Sequence, residues 1–251
     1  MRNKAKSILT LYLTLLFASG IAASNVNAQE RIEPDVIPID SPKTYSDVDF
    51  NNGIGFGVQL HNYGAGLGAQ YRRVLGPMTE GIFEFHLSTL KDETEQTFSW
   101  YGQQIIPNKY NRILNAPILF GVKHRIFPRS LNDNFRVYLQ GVVGPTVAFV
   151  YPYFNDTGIG YRQPNQFPND IFQGWGDGYF TWGTAGHLSL GVDFGDNFSK
   201  IQSVNFGYYF HYFEEGIQIM EPNTPVAGET GSDPQSYFGS PKISFVFGGM
   251  W

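Results

Sequence analysis

The chain has no cysteine. It therefore has no disulfide frame, no thiolate metal cluster, no cysteine nucleophile and no acylated cysteine of the lipoprotein type. Charge is scarce too, with Asp, Glu, Lys and Arg at 16% of 251 residues. Helical bundles and coiled coils draw on far more Lys, Glu and Arg, and both are disfavoured. The balance of 17 basic against 22 acidic residues lacks the basic excess of a nucleic-acid-binding surface, so no nucleic-acid partner is expected. Beyond residue 28 no apolar run approaches the roughly 20 residues a membrane-spanning helix needs. What is plentiful is glycine, 29 residues, and aromatic side chains, 16%. A hydrophobic fraction of 42% excludes an intrinsically disordered chain.

The N-terminus carries Arg2, Lys4 and Lys6, then an apolar run from Ile8 to Ala18, then Val26 and Ala28 at the minus-three and minus-one positions of a cleavage site. This pattern predicts a secretory signal peptide over 1–28. Its removal leaves 14 basic and 22 acidic residues, formally −8. Residues 29–52 hold prolines and acids without periodicity and are expected to form a flexible periplasmic lead-in.

From residue 53 to the end the period is two. Ile54, Phe56, Val58 and Leu60 alternate with Gly55, Gly57, Gln59 and His61, and seven further segments behave alike. Period two means strands with one apolar face. The links between them alternate in length. Those at 76–80, 128–134 and 195–200 are short, and those at 90–115, 151–178 and 214–237 are long. An up-and-down barrel with short periplasmic turns and long outer loops produces that parity, whereas a soluble sandwich has no reason to keep it. The face opposite the apolar one carries Arg72, Glu84, Lys123, Arg125, Arg136, Asp193 and Lys242. A sandwich core would hold these at several kcal/mol each when unpaired, while a narrow barrel lumen lets both signs pair. The expected fold is all-β: an eight-stranded antiparallel up-and-down transmembrane barrel. Ten strands is the alternative, with 97–110 as an additional hairpin.

These residues resemble the small outer-membrane β-barrel proteins of Gram-negative bacteria, the OmpA/OmpX-like group, over 53–251. The final strand is the most specific part. Ile243, Phe245 and Phe247 alternate and the chain finishes on Trp251, similar to the C-terminal signal such barrels present to their assembly machinery, although the family's usual last residue is Phe. The resemblance implies insertion in the bacterial outer membrane, with outer-membrane lipid and lipopolysaccharide as surroundings, and commonly no continuous pore.

Glu84, His86 and Ser88 share one strand face. The His-x-Ser pair also resembles the motif of lipid A 3-O-deacylases, in which histidine is the base for a serine nucleophile. Thr89 stands where that motif has Asn, no acid is expected to orient His86, and His86 is expected to face the lumen, so these three are read as polar filler and no catalytic site is expected. His187 and His211 are also inward, at heights expected to differ by about 10 Å or more, and neither a metal site nor a cofactor is expected. The outer loops carry the remaining interaction candidates: Trp100, Tyr101, Tyr161 and Trp175, and the acidic run of Glu214, Glu215, Glu221, Glu229 and Asp233. The expected role is structural or surface-interacting. A small pore or transporter and a lipid-modifying esterase using His86 and Ser88 are the alternatives.

Overall fold

The computed structural model describes residues 42–100, 103–154, 167–195, 198–222 and 232–251. The expected signal peptide and the first part of the lead-in lie outside these residues. The strands are β1 (Asn52–His61), β2 (Gly64–Gly76), β3 (Thr79–Leu90), β4 (Phe98–Trp100), β5 (Gln103–Ile105), β6 (Asn111–Arg125), β7 (Phe135–Pro152), β8 (Tyr179–Phe194), β9 (Lys200–Ile217) and β10 (Gln235–Met250). Eight of them close into an antiparallel barrel in the order β1, β10, β9, β8, β7, β6, β3, β2, and among the described residues β4 pairs with β5 alone. The ten-strand alternative is thus corrected. The segment 97–110 does make a hairpin, but one of three pairs per strand, too short to join the wall.

The barrel has a turn end, where the links are 77–78, 126–134 and 195–199 and where both ends of the wall lie, and a loop end, where they are 62–63, 91–110, 153–178 and 218–234. The alternation of side chains places apolar residues outward: Phe56 is 64% exposed, Leu67 66%, Trp182 71%, Leu188 61% and Phe206 62%. The seven charged residues expected on the inner face are all between 1% and 4% exposed. Arg73 and His124 fall on the outer face near the turn end, as their parity dictates.

The first and last strands meet across nine residue pairs, from Gly53 opposite Met250 to His61 opposite Lys242. Both ends of the lumen are filled. At the turn end the segment 42–50, the described part of the expected lead-in, folds under the barrel. Tyr45 packs with Phe198, Ile201, Val246 and Met250, its ring edge-on to Phe198 at 5.5 Å. Its backbone N–H donates to Pro77 O at 3.1 Å, and Arg125 Nη1 donates to Lys43 O at 2.8 Å. A short 3₁₀ turn, Tyr45–Asp47, shapes this plug. The Asp47 carboxylate accepts from Thr44 N and Oγ1 at 2.7 and 2.8 Å, and these bonds hold it below its ordinary range. At the loop end Tyr63, Leu90, Ile113, Ala148, Val150, Phe213, Ile217, Ile219 and Phe238 form an apolar cap. Strand alternation points all but Tyr63 and Ile219, which lie in the links, into the lumen; the cap exists because the sequence places apolar residues on both faces of β7 and β9 there.

Candidate functional site

Between plug and cap the lumen holds two polar layers. The lower layer is ionic. Asp193 from β8 takes the ammonium of Lys123 and, at 3.3 Å, Arg72 Nη1, and it accepts a hydrogen bond from Ser203. Lys123 also reaches Glu80 at 2.9 Å and lies 4.0 Å from the centre of the Tyr138 ring. Tyr45 Oη donates to the same Glu80 at 2.8 Å, which ties the plug to the ion cluster. Burial of charges is tolerable only when each has a partner, as Arg72, Lys123, Asp193 and Glu80 do here. Of the inner-face charges expected from the sequence, Arg125 and Arg136 lie elsewhere. Arg125 pairs with Asp133 at 2.9 Å. Arg136 Nη1 donates to Asp133 O and Gly195 O at 2.5 and 2.6 Å, its guanidinium 4.4 Å from the Phe198 ring centre. Both therefore clamp the turn end. Glu80, assigned to a link by the sequence pattern, is instead a buried strand residue and the partner the Lys123 charge required.

The upper layer centres on Glu84. Its Oε1 accepts from Gln70 Nε2, and from Gln140 Nε2 at 2.5 Å; its Oε2 faces His86 Nε2 at 2.8 Å and His187 Nε2 at 2.9 Å. One carboxylate thus joins β2, β3, β7 and β8. His86 fits because Gly68 lies beside it: a Cβ there would stand 2.1 Å from His86 Nδ1. The expectation that no acid orients His86 is corrected, since Glu84 does so from two residues away. Rotamers that carry two i, i+2 side chains toward each other across the pleat make this possible. The Glu84 carboxylate takes up His86 Nε2. Ser88 Oγ is buried without a hydrogen-bond partner among the described residues, so no hydrogen bond joins it to His86. Lys242 lines a cavity of about 20 Å³ beside Glu84, His86, His187 and Gln140.

His211 is placed two residues higher than His187, beside Ala185 while His187 lies beside Tyr209. That offset is about 7 Å, shorter than expected, yet His211 pairs with Asn115 Nδ2 at 3.2 Å rather than with His187. His187 joins Glu84 and His86 across the lumen instead. Lumen-crossing neighbours depend on the stagger of the barrel, which no single-strand pattern reports; the signal within reach was the matching polar parity of β3 and β8.

On the outer wall at the loop end, a short 3₁₀ turn, Trp175–Asp177, lies against the barrel. The Trp175 ring is 5.0 Å from Phe149, which also packs on Phe180 at 4.9 Å and stacks on Tyr151 at 5.6 Å. Gly178 permits this approach, because a Cβ there would meet the Phe149 ring at 2.4 Å. Trp175 remains 60% exposed, as are Phe167 at 67% and Phe172 at 84%. Of the other loop candidates, Tyr101 and Tyr161 lie outside the described residues, as does the side chain of Trp100. Ile243, Phe245, Phe247 and Trp251 all point outward from the last strand or its end.

The geometry defines a class of protein: a small closed antiparallel barrel with an apolar exterior and a filled polar lumen. Among solved structures the chain is similar to Ail, the attachment invasion locus protein of Yersinia pestis, with 11% identity over 80% of this chain and 97% of that one and a TM-score of 0.39. It is also similar to Neisserial surface protein A, with 9% identity over 80% and 95% and a TM-score of 0.41. A third is the outer membrane protein OprG of Pseudomonas aeruginosa, with 12% identity over 80% and 95% and a TM-score of 0.35. No family profile and no curated protein matches the sequence.

Proposed function

We propose that this chain is an exported, non-catalytic outer-membrane β-barrel that acts structurally or as a surface-interaction protein through its outer loops. One observation carries the reading: the barrel is inside out. Large apolar side chains cover its exterior, and Arg72, Lys123, Asp193 and Lys242 lie at most 4% exposed within. Such an exterior is far larger than the apolar patches soluble monomers expose, and a hydrocarbon surround is what it suits. Lipid and lipopolysaccharide then bathe the belt and the rim. Ile243, Phe245, Phe247 and Trp251 offer the assembly machinery its signal.

The plug, the ion cluster and the cap support a lumen that does not conduct, against the small-pore alternative. The Ser88 hydroxyl, bonded to no imidazole among the described residues, supports a role without ester hydrolysis. The aromatic loop surface around Phe167, Phe172 and Trp175 is where a partner would dock. The test is to purify the protein from membranes in detergent and compare gel migration before and after boiling. Faster migration of the unboiled sample is expected. A protein that is soluble without detergent and shows no shift would overturn the membrane reading in favour of a secreted β-protein.

A further inference from the structure

Three metal-ligating groups meet in mid-lumen. Glu84 and His86 come from β3 and His187 from β8, and one donor atom of each lies within 4.8 Å of the others. Glu84 and His187 are 2% and 4% exposed. The cavity they line, about 20 Å³, has room for one water-sized occupant. We propose that this cluster binds a single divalent transition-metal ion of the zinc class.

The donor chemistry selects the ion. Two imidazoles and one carboxylate suit zinc, nickel or copper(II), whereas calcium and magnesium ask for an all-oxygen shell. The positions of the donors are fixed by the wall, because β3 and β8 are held apart by β6 and β7 in a continuous ladder. A second set of contacts orients the carboxylate: Gln70 and Gln140 both occupy Oε1, which leaves Oε2 to the two imidazoles. Outer hydrogen bonds of this kind are what hold a ligating carboxylate in place. Both Nε2 atoms already converge on one oxygen, so an ion replaces two hydrogen bonds without moving the backbone. The ring protons pass to Nδ1 on ligation, since the metal takes the Nε2 lone pair.

Lys242 lines the same cavity and its ammonium opposes a dication by Coulomb repulsion. That opposition gives the proposal a signature a merely structural role lacks: neutralising Lys242 should strengthen binding. The protein, stripped with chelator and refolded in detergent with equimolar zinc because both lumen ends are filled, is desalted and its metal content measured, with zinc affinity taken from competition by a chromogenic chelator. One zinc per chain is expected. Glu84→Gln and His187→Phe should each lower affinity at least tenfold, His124→Ala should leave it unchanged, and Lys242→Met should raise it at least tenfold. Heat-modified gel migration establishes that each variant is folded. Should neither Glu84→Gln nor His187→Phe fold, His86→Gln decides, since its loss leaves Glu84 bonded to three other donors. Wild-type protein without retained zinc, or equal retention by the folded ligand variants, overturns the site.

Discussion

The lumen is filled by charge above the plug and by hydrocarbon at its loop end, and the two fillings tolerate error differently. In the ion cluster each charge needs a particular partner at a particular angle, because an unpaired buried charge costs several kcal/mol. Asp193 alone serves Lys123, Arg72 and Ser203. In the cap, Phe213, Ile217 and Phe238 are each 0% exposed and ask only that the volume be filled, so a conservative exchange loses a contact and not an obligation. The ion cluster specifies the barrel's interior partners and the cap seals its loop end.

The contrast can be pressed by substitutions of nearly unchanged shape. Asp193→Asn, which keeps volume and removes charge, should lower unfolding free energy by about 3–5 kcal/mol, read by urea titration in detergent; a change under about 1 kcal/mol would mean that the lower layer is not the demanding one. Tyr45→Phe removes one hydrogen bond from the plug to the Glu80 carboxylate and should cost about 1.5–3 kcal/mol, while planar-bilayer conductance stays at baseline because Arg72, Lys123 and Asp193 still fill the lumen above. Conductance in that variant would show that the plug, and not the ion cluster, is the barrier. Ile217→Val in the cap should cost about 0.5–1.5 kcal/mol, at the lower part of that range if the cap repacks. Trp175→Phe, outside both fillings, should change stability by less than about 0.5 kcal/mol and should remove the fluorescence of a tryptophan packed on Phe149, leaving the comparison intact.

The wall was legible in the sequence to within a few residues at most strand ends because its two faces differ in polarity. Phe206, Tyr208 and Tyr212 against Ser203, Asn205 and His211 admit only one phase, and that phase holds in the structure. Legibility stops where the contrast stops. Phe213, Ile217, Ala148 and Val150 are apolar on the inner face, so the cap and the full length of β7 and β9 left no alternation to read. The polar site was half legible. Glu84, His86 and His187 each showed an inward parity, but their meeting across the lumen is set by stagger, a property of eight strands together. The plug was not legible at all, since Tyr45 sits in a segment without periodicity and acquires its position only from Phe198, Glu80 and Pro77.

β7 and β9 are 18 residues each, while a tilted strand crosses the hydrocarbon in about 9–11. The surplus of about 8 residues, at roughly 3.3 Å per residue and a tilt near 45°, lifts the rim by about 20 Å. Glu214 and Glu215 stand exposed on that raised part of β9, where carboxylates are at home in water. On the membrane reading the barrel is a pedestal as well as an anchor: its long loops begin above the headgroups and present their surface clear of the sugars and phosphates around the base.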